Sequence, residues 1–359
     1  MPLKTRGKDV DKLKVAVLGA TGMAGQWFAS LLEDHPYFEL VALGASKRSA
    51  GKKYKEAVRW VIPRPFPTKF SDYVVFDASD PDALPEKVDL VFSALPSEVA
   101  GEIELKYLKK GFNVVSNASP FRLEPDVPLM NPEINWDHLE LLKKQERWGG
   151  KLVKNPNCTT AVLTLPLKPI MDEFGIKEIT VTTLQAISGA GFAGLTAYSI
   201  VDNVIPYIAK EEYKVKVESK KMLGKLEGDS IRPADFVVEA TTTRVPVLDG
   251  HTEVVYITTK RSVDVEQVKD VLKSFESEPQ RLGLPTAPPK PVIVMEQEDR
   301  PQPRLDRMNG NGMAVTVGRI EITETNRVRM VMVGHNLLRG ASGVSLLTAE
   351  LMYKKGYIT

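Results

Sequence analysis

A short apolar, β-branched run at residues 14–18 (KVAVL) stops at Gly19-Ala20-Thr21-Gly22-Met23-Ala24-Gly25. A helical spacing of Trp27, Phe28, Leu31 and Leu32 follows. This succession of strand, glycine loop and helix constrains the fold more than any other stretch. An uninterrupted apolar run of that length reads as a strand buried on both faces, which belongs in a parallel sheet. The loop is a GxxGxxG relative of the dinucleotide fingerprint. Glycine is required where the turn is tight and where a pyrophosphate touches backbone, and the helix start offers unpaired N–H groups to that anion. Placed between a strand and a helix, the loop reads as a nucleotide cradle, with Gly19, Thr21, Gly22, Met23, Ala24 and Gly25 as candidate contacts.

The alternation continues. Residues 38–43 (FELVAL), 88–93 (VDLVFS) and 112–116 (FNVVS) read as further strands, with an amphipathic helix over 99–110. This predicts an α/β fold whose N-terminal part is a Rossmann-type doubly wound sheet. Beyond Asn155 the pattern changes. Residues 179–186, 253–259, 313–317 and 328–333 have the β-branched, alternating look of antiparallel strands, with helices over 160–174 and 265–275. The second part is therefore expected to be an α+β domain with a mixed, largely antiparallel sheet. The last apolar helix, over 336–352, could return to the first domain. The expected division is a cofactor domain of 1–157 with 336–359, and a catalytic domain of 158–335.

In an NAD enzyme the second strand usually ends in an acidic residue that binds the ribose 2′-hydroxyl. Here Ser46, Lys47, Arg48 and Ser49 follow instead. Two cations and two hydroxyls suit a 2′-phosphate, so NADP is the expected cofactor. The alternative is a solvated basic loop. Ser93, closing the third buried run, is a further candidate contact. A net charge of +2 gives no reason to expect nucleic acid or a membrane surface as partner. No apolar run is long enough to span a bilayer, and the charged N-terminus has no signal-peptide core. The single cysteine can form neither an intramolecular disulfide nor a cysteine-rich zinc site, so no metal is expected and a cytoplasmic setting fits.

That cysteine, Cys158, opens the helical run AVLTLPLKPIM within Asn155-Pro156-Asn157-Cys158-Thr159-Thr160. A helix N-terminus favours a thiolate, so this is a place for a nucleophile. Four histidines are available as its proton partner. His35 reads as a surface or turn residue and His138 as solvated, while His335 enters the last helix. His251 follows Arg244 in RVPVLDGH, at a turn leading into a strand, which suits an active-site edge. Its alternative is a structural hydrogen bond. Together these residues suggest thiolate addition to a carbonyl, with a thioester formed during nicotinamide-linked redox chemistry.

The chain resembles the aspartate-semialdehyde dehydrogenases of the archaeal and fungal type. The likeness runs from Lys14 to the C-terminal helix and is carried by GATGMAG, LGASKRSAGKKY, SNASPFR, NPNCTT, LQAISGAG, ESKKMLG, TRVPVLDGHTE, RPQPRLD and HNLLRGASG. It implies Cys158 as nucleophile, His251 as general acid/base, Gln185 as an orienting group, and Asn157 as an aid in polarising the thioester carbonyl. It further implies Arg244 on the substrate α-carboxylate, Glu218 on its ammonium, and Arg122 with Lys221 on phosphate. Asn336 would contact the nicotinamide side, and Ser188, Gly189 and Gly191 would let backbone approach that ring. Each residue also has an ordinary reading. Glu218 and Lys221 have the spacing of a surface ion pair on a helix, Arg122 could pair with Glu124 or Asp126, and Gln185 could be a strand-edge residue.

The implied reaction is the NADP- and phosphate-dependent interconversion of L-aspartate 4-semialdehyde and L-4-aspartyl phosphate, feeding lysine, threonine and methionine. A homodimer or homotetramer is implied as well, with 158–335 as the catalytic and dimerisation domain. Three alternatives stand beside it. One is a malonyl-coenzyme A reductase, which would reuse the cysteine but replace the amino-acid clamp. A second is an N-acetylglutamyl-phosphate reductase, whose substrate lacks the free ammonium. The third is a nucleotide-sensing protein without catalysis.

Overall fold

The computed structural model describes residues 12–85 and 87–359, so the charged lead-in at residues 1–11 lies outside the described residues. In the first half, strands β1 (Leu13–Leu18), β2 (Phe38–Ala45), β3 (Phe76–Asp77), β4 (Leu90–Ser93), β5 (Val114–Ser116) and β6 (Leu152–Lys154) form one sheet in the order β3-β2-β1-β4-β5-β6. All its pairs are parallel. This is the doubly wound order, and its direction of winding reverses between β1 and β4. The crevice beyond the carboxyl ends of those two strands is where such folds hold a nucleotide. Helix α1 (Met23–Leu32) and helix α2 (Ser97–Lys109) are the crossovers after β1 and β4.

Helix α3 (Cys158–Phe174) leads into the second sheet. Its strands are β7 (Ile176–Gln185), β10 (Val237–Arg244), β11 (His251–Thr259), β12 (Val292–Val294), β13 (Val315–Glu324) and β14 (Arg327–Gly334), in the order β10-β7-β11-β14-β13-β12. The central pairs are antiparallel and the two edge pairs parallel. A small hairpin of β8 (Lys225–Glu227) and β9 (Ser230–Arg232) stands apart. Helix α4 (Glu211–Met222) packs on β10 and on α3. The core beneath this sheet is aliphatic, with Val162, Val181, Val255, Ile257, Met330 and Met332 fully buried.

The last helix, α5 (Gly343–Lys354), packs against α1 and β5, so the chain end completes the first layer. A π-helical turn at Leu338–Ser342 precedes it, so the regular helix begins later than residue 336. Arg339, in that turn, is wholly buried and makes a two-pronged pair with Glu133, each bond 2.7 Å long. It also donates to the Met313 carbonyl.

Two histidines depart from expectation. His35 is buried, with Nε2 at 2.9 Å from Glu350 and Nδ1 accepting from the amides of Tyr37 and Phe38. His138 is buried as well, bridging Asn135 and the Gly224 carbonyl. Their sequence neighbours pointed to the surface, whereas each is buried by a partner distant in the chain, the Glu350 carboxylate for His35 and the Gly224 carbonyl for His138. Arg339→Met leaves Glu133 charged and unpaired in the interior. We expect it to lower stability by about 3–5 kcal/mol, seen as a lower urea midpoint. Replacing both partners by apolar residues should cost less than that.

Candidate active site

The glycine loop has the shape that its sequence requires. Gly19 lies at φ +80°, and a Cβ there would sit 2.5 Å from the Ala94 carbonyl oxygen. A Cβ on Gly25 would lie 2.2 Å from the Gly19 oxygen, so loop and helix can close only on glycine. No side chain caps the first turn of α1, leaving its amides for an anion. The loop opens into a cavity of about 510 Å³ lined by Gly19, Thr21, Gly22, Ser46, Lys47 and Arg48. The last three are exposed side chains, free to meet a phosphate. The residues therefore fit a phosphorylated dinucleotide. Met23, Ala24 and Gly25 form the helical turn behind the loop, and Ser49 closes the 46–49 turn through its amide. Asp77 also lines this cavity, held by the amide and hydroxyl of Ser79 at 2.9 and 2.8 Å. No pattern in the sequence marks it, because β3 is only two residues long.

Ser93 does not face the cavity. Its hydroxyl donates to Glu104 at 2.7 Å, in a wholly buried cluster with Ser116 and Lys154. The reason is that Glu104, on α2, has no water to solvate it and draws its partners from three strand ends.

Cys158 stands at the start of α3, where the two sheets meet. Its Sγ lies 3.1 Å from Nε2 of His251, the first residue of β11. The other ring nitrogen, Nδ1, accepts the Ala186 amide at 3.1 Å. A neutral ring so held must carry its proton on Nε2, the atom that faces sulfur. The Ala186 carbonyl in turn accepts from Arg244 Nη1 at 2.7 Å. One residue, Ala186, directly after the end of β7, thus orients the imidazole with its amide and the guanidinium with its carbonyl. Gly189 covers the pair, since a Cβ there would be 2.6 Å from Arg244 Nη1 and 3.3 Å from His251 Cε1. Gln185 ends β7 beside Arg244 in register and donates to the Thr183 hydroxyl at 3.2 Å.

The electrostatics reverse one expectation. Burial pushes the Cys158 thiol up to about 12, and the nearby Glu211 carboxylate adds to that. Arg244, Arg122 and the Thr159 amide act in the opposite sense but do not prevail. His251 is held well below the ordinary imidazole range, by burial first and then by Arg244 and His335. The free protein therefore favours a neutral thiol beside a neutral imidazole. The helix start does not yield a resting thiolate, because the loss of water outweighs the dipole.

A crevice of about 180 Å³ opens at the sulfur, bounded by Asn117, Arg122, Ser188, Gly189, Lys214 and Asn336. Arg122 gives Nη1 to Glu218 at 2.9 Å and Nη2 to the Asn117 carbonyl at 2.6 Å, while its buried Nε has no partner. Asn336 is fixed by the Gly250 amide and the Ser188 hydroxyl, both at 2.8 Å. Gly191 turns at φ +77° where the segment after Ser188 leaves the site.

Two implied roles are altered. The Asn157 side chain caps α3, accepting from Thr159 and Thr160 at 3.0 and 3.2 Å and donating to Glu211 at 2.8 Å. Its oxygen is thus spent on the helix start and one Nδ2 proton on Glu211, so its first duty is to cap the helix that carries the sulfur. Lys221 gives its three protons to the carbonyls of Arg122, Glu124 and Val127, at 2.8, 2.7 and 2.9 Å. It holds the Arg122 loop and has no donor left for phosphate. Nor are Glu218 and Lys221 a surface ion pair. Both are buried, and Glu218 accepts from Arg122 and, at 2.6 Å, from the Asn157 amide. Arg147 takes Glu124 and Asp126 instead. Lys214 and Gly340 were not singled out in the sequence. Gly340 presses on the nucleophile, since a Cβ there would be 2.6 Å from that of Cys158. Among the described residues, no cluster of three His, Cys, Asp or Glu side chains could hold a metal ion, and no helix is long and apolar enough to cross a membrane.

A thiol pushed this high is mostly protonated near neutrality, and its thiolate fraction grows as pH rises. Iodoacetamide labelling of Cys158 in the free protein should therefore accelerate about tenfold per pH unit from neutrality into the alkaline range. A rate already level near neutral pH would show a preformed thiolate–imidazolium pair instead.

Residues 14–142 match the family model for the NAD-binding domain of semialdehyde dehydrogenases, and residues 167–339 match the model for their dimerisation domain. An aspartate-semialdehyde dehydrogenase of Archaeoglobus fulgidus is 49% identical over 97% of this chain and 100% of its own. A malonyl-CoA reductase (NADP) of Metallosphaera sedula is 40% identical over 96% of this chain and 98% of its own. The crystal structure of the Candida albicans aspartate-semialdehyde dehydrogenase with NADP superposes with a TM-score of 0.88 and 42% identity, over 96% of this chain and 99% of that one. Matched in both halves, and alike in sequence and fold from end to end, the chain belongs to the aspartate-semialdehyde dehydrogenase family.

Proposed function

We propose that this protein is an NADP-dependent aspartate-semialdehyde dehydrogenase that interconverts L-4-aspartyl phosphate and L-aspartate 4-semialdehyde through a thioester on Cys158. The observation that carries the reading is Cys158 Sγ at 3.1 Å from His251 Nε2, in a crevice flanked by Arg122 and bounded from the first domain by Ser97 and Asn117. Gly19, Thr21 and Gly22 would hold the cofactor's pyrophosphate, with Ser46, Lys47 and Arg48 on its 2′-phosphate. When bound, NADPH supplies the hydride.

In the reductive direction sulfur attacks the acyl carbon, the C–O bond to phosphate breaks, the departing phosphate takes the thiol proton, and the thioester remains. After reduction the hemithioacetal collapses to the aldehyde, and its O–H proton passes to sulfur as the C–S bond breaks. His251 Nε2–H, the donor that already faces the sulfur, steadies the charge developing on it by hydrogen bonding. Arg122, with a free Nε, and Lys214 at the crevice rim are the cations available to phosphate. Arg244 spends one N–H on Ala186 and keeps the rest of its fork for the substrate α-carboxylate. Glu218 retains lone pairs for the ammonium. Ser188, Gly189, Gly191 and Asn336 would face the nicotinamide end, and Gln185 would orient the reacting groups.

A homodimer or homotetramer fits the matched dimerisation domain and the exposed Tyr198, Val201, Val204 and Tyr207. A cytoplasmic setting fits the single unpaired cysteine.

We expect phosphate-dependent reduction of NADP⁺ with aspartate semialdehyde, and none of NADPH oxidation with malonyl-coenzyme A, in parallel spectrophotometric assays. Activity confined to the coenzyme A thioester would overturn the substrate. Cys158→Ser should lose nearly all turnover while still binding NADP in a calorimetric titration, and near-normal turnover would exclude the thioester.

A further inference from the structure

Two residues into β11 from His251, and on the same buried face, stands Glu253. It is wholly buried, and neither carboxylate oxygen has a hydrogen-bond partner. Interiors rarely tolerate this, because a carboxyl without partners forfeits its hydration. The strand register shows what surrounds it. Glu253 pairs with Thr183 on β7 and Met332 on β14, and Thr183 pairs with Thr242 on β10. The next row toward Cys158 holds Arg244, Gln185 and His251. A polar row therefore lies directly beneath the reacting row, and the apolar core begins one row further on, at Val181, Val255 and Met330.

The two rows are joined at one point, where Gln185 Nε2 donates to Thr183 Oγ1 at 3.2 Å. Thr183 then has its own O–H to give, and its cross-strand neighbour is Glu253. The hydroxyl of Thr242 and those of Thr160 and Ser219, on the helices α3 and α4 over this end of the sheet, are buried without partners as well. Such a layer of hydroxyls around a carboxyl has the polar lining that a buried water needs.

Of the charged and titratable groups around this layer, Glu211 from α4 acts on Glu253, Glu212 from the same helix accepts the Thr242 amide, and Arg244 and His251 stand in the next row, while β7 offers Thr183 and β14 only Met332. No cation pairs with Glu253 among the described residues. Burial holds its carboxyl well above the usual range, and Glu211 pushes it the same way.

We propose that Glu253 is an uncharged carboxylic acid that acts as a positioning residue, linked through a buried water to Thr183 and so fixing the amide of Gln185 at the reacting centre. It touches neither substrate nor cofactor. The role rests on the reading of Gln185 as a group that orients the reacting atoms.

The test combines activity with a signal that needs no substrate. Glu253→Gln keeps the shape, the neutrality and the hydrogen bonding, and should retain kcat within about twofold. Glu253→Met removes the polar link and should lower kcat about 10- to 100-fold with KM and NADP affinity unchanged. Thr183→Val should do the same. The double variant should lose little beyond either single one, since both cut one chain. In infrared difference spectra of the free protein, the wild type should show a protonated-carboxyl band near neutral pH that is missing from Glu253→Gln. A folded but inactive Gln variant, full kcat in the Met variant, additive losses, or absence of that band would each overturn the proposal. If the substrate reading is what fails, the wild type itself is inactive with aspartate semialdehyde, while the infrared band still decides the state of Glu253.

Discussion

The structure turns on how helix α3 begins. Asn157 caps the helix with its Oδ1, ties its Nδ2 to Glu211, and gives its backbone amide to Glu218. Glu218 is paired with Arg122, which comes from the first domain, and Lys221 holds the Arg122 loop by three carbonyls. A nucleotide sheet and a catalytic sheet are thus joined through backbone donors that any helix start must satisfy somehow. In many helices water meets that demand. Here the Glu218 carboxylate of α4 takes the Asn157 amide, the Asn157 side chain takes those of Thr159 and Thr160, and the sulfur is placed as a consequence.

Burial governs the chemistry of the site more than charge does. The thiol and imidazole sit where ionisation is disfavoured, although two guanidinium groups and a helix terminus are close by. What remains is direction. The backbone amide of Ala186 fixes which nitrogen of His251 carries its proton, and its carbonyl fixes where the Arg244 fork points. A backbone group cannot change rotamer or protonation state, so the site is oriented by its most rigid component.

Much of this was legible in the sequence because it was local. The glycine loop, the apolar strands and the cysteine at a helix start are contiguous patterns, and their physical meaning depends on near neighbours. The doubly wound sheet and the mixed second sheet follow from such patterns. The parts that escaped depend on distant pairing. Strands β3 and β6 are too short to show a period, and Asp77 entered the cofactor cavity unannounced. Lys221 resembled a surface lysine because its three carbonyl partners lie about a hundred residues upstream. Asn157 resembled a reacting group because helix caps and catalytic asparagines share one residue type. Motif resemblance brought the right residues together, but their hydrogen bonds had to be counted before their duties could be told apart.

Gly340 packs its backbone against Cys158, and a Cβ there would stand 2.6 Å from that of the nucleophile. Its neighbours are anchored elsewhere: Arg339 on Glu133, and the Ser342 hydroxyl on the Ala24 carbonyl. The wall beside the sulfur is thus hung from the first domain, so any change that loosens the Arg339–Glu133 pair reaches the reacting centre through backbone alone.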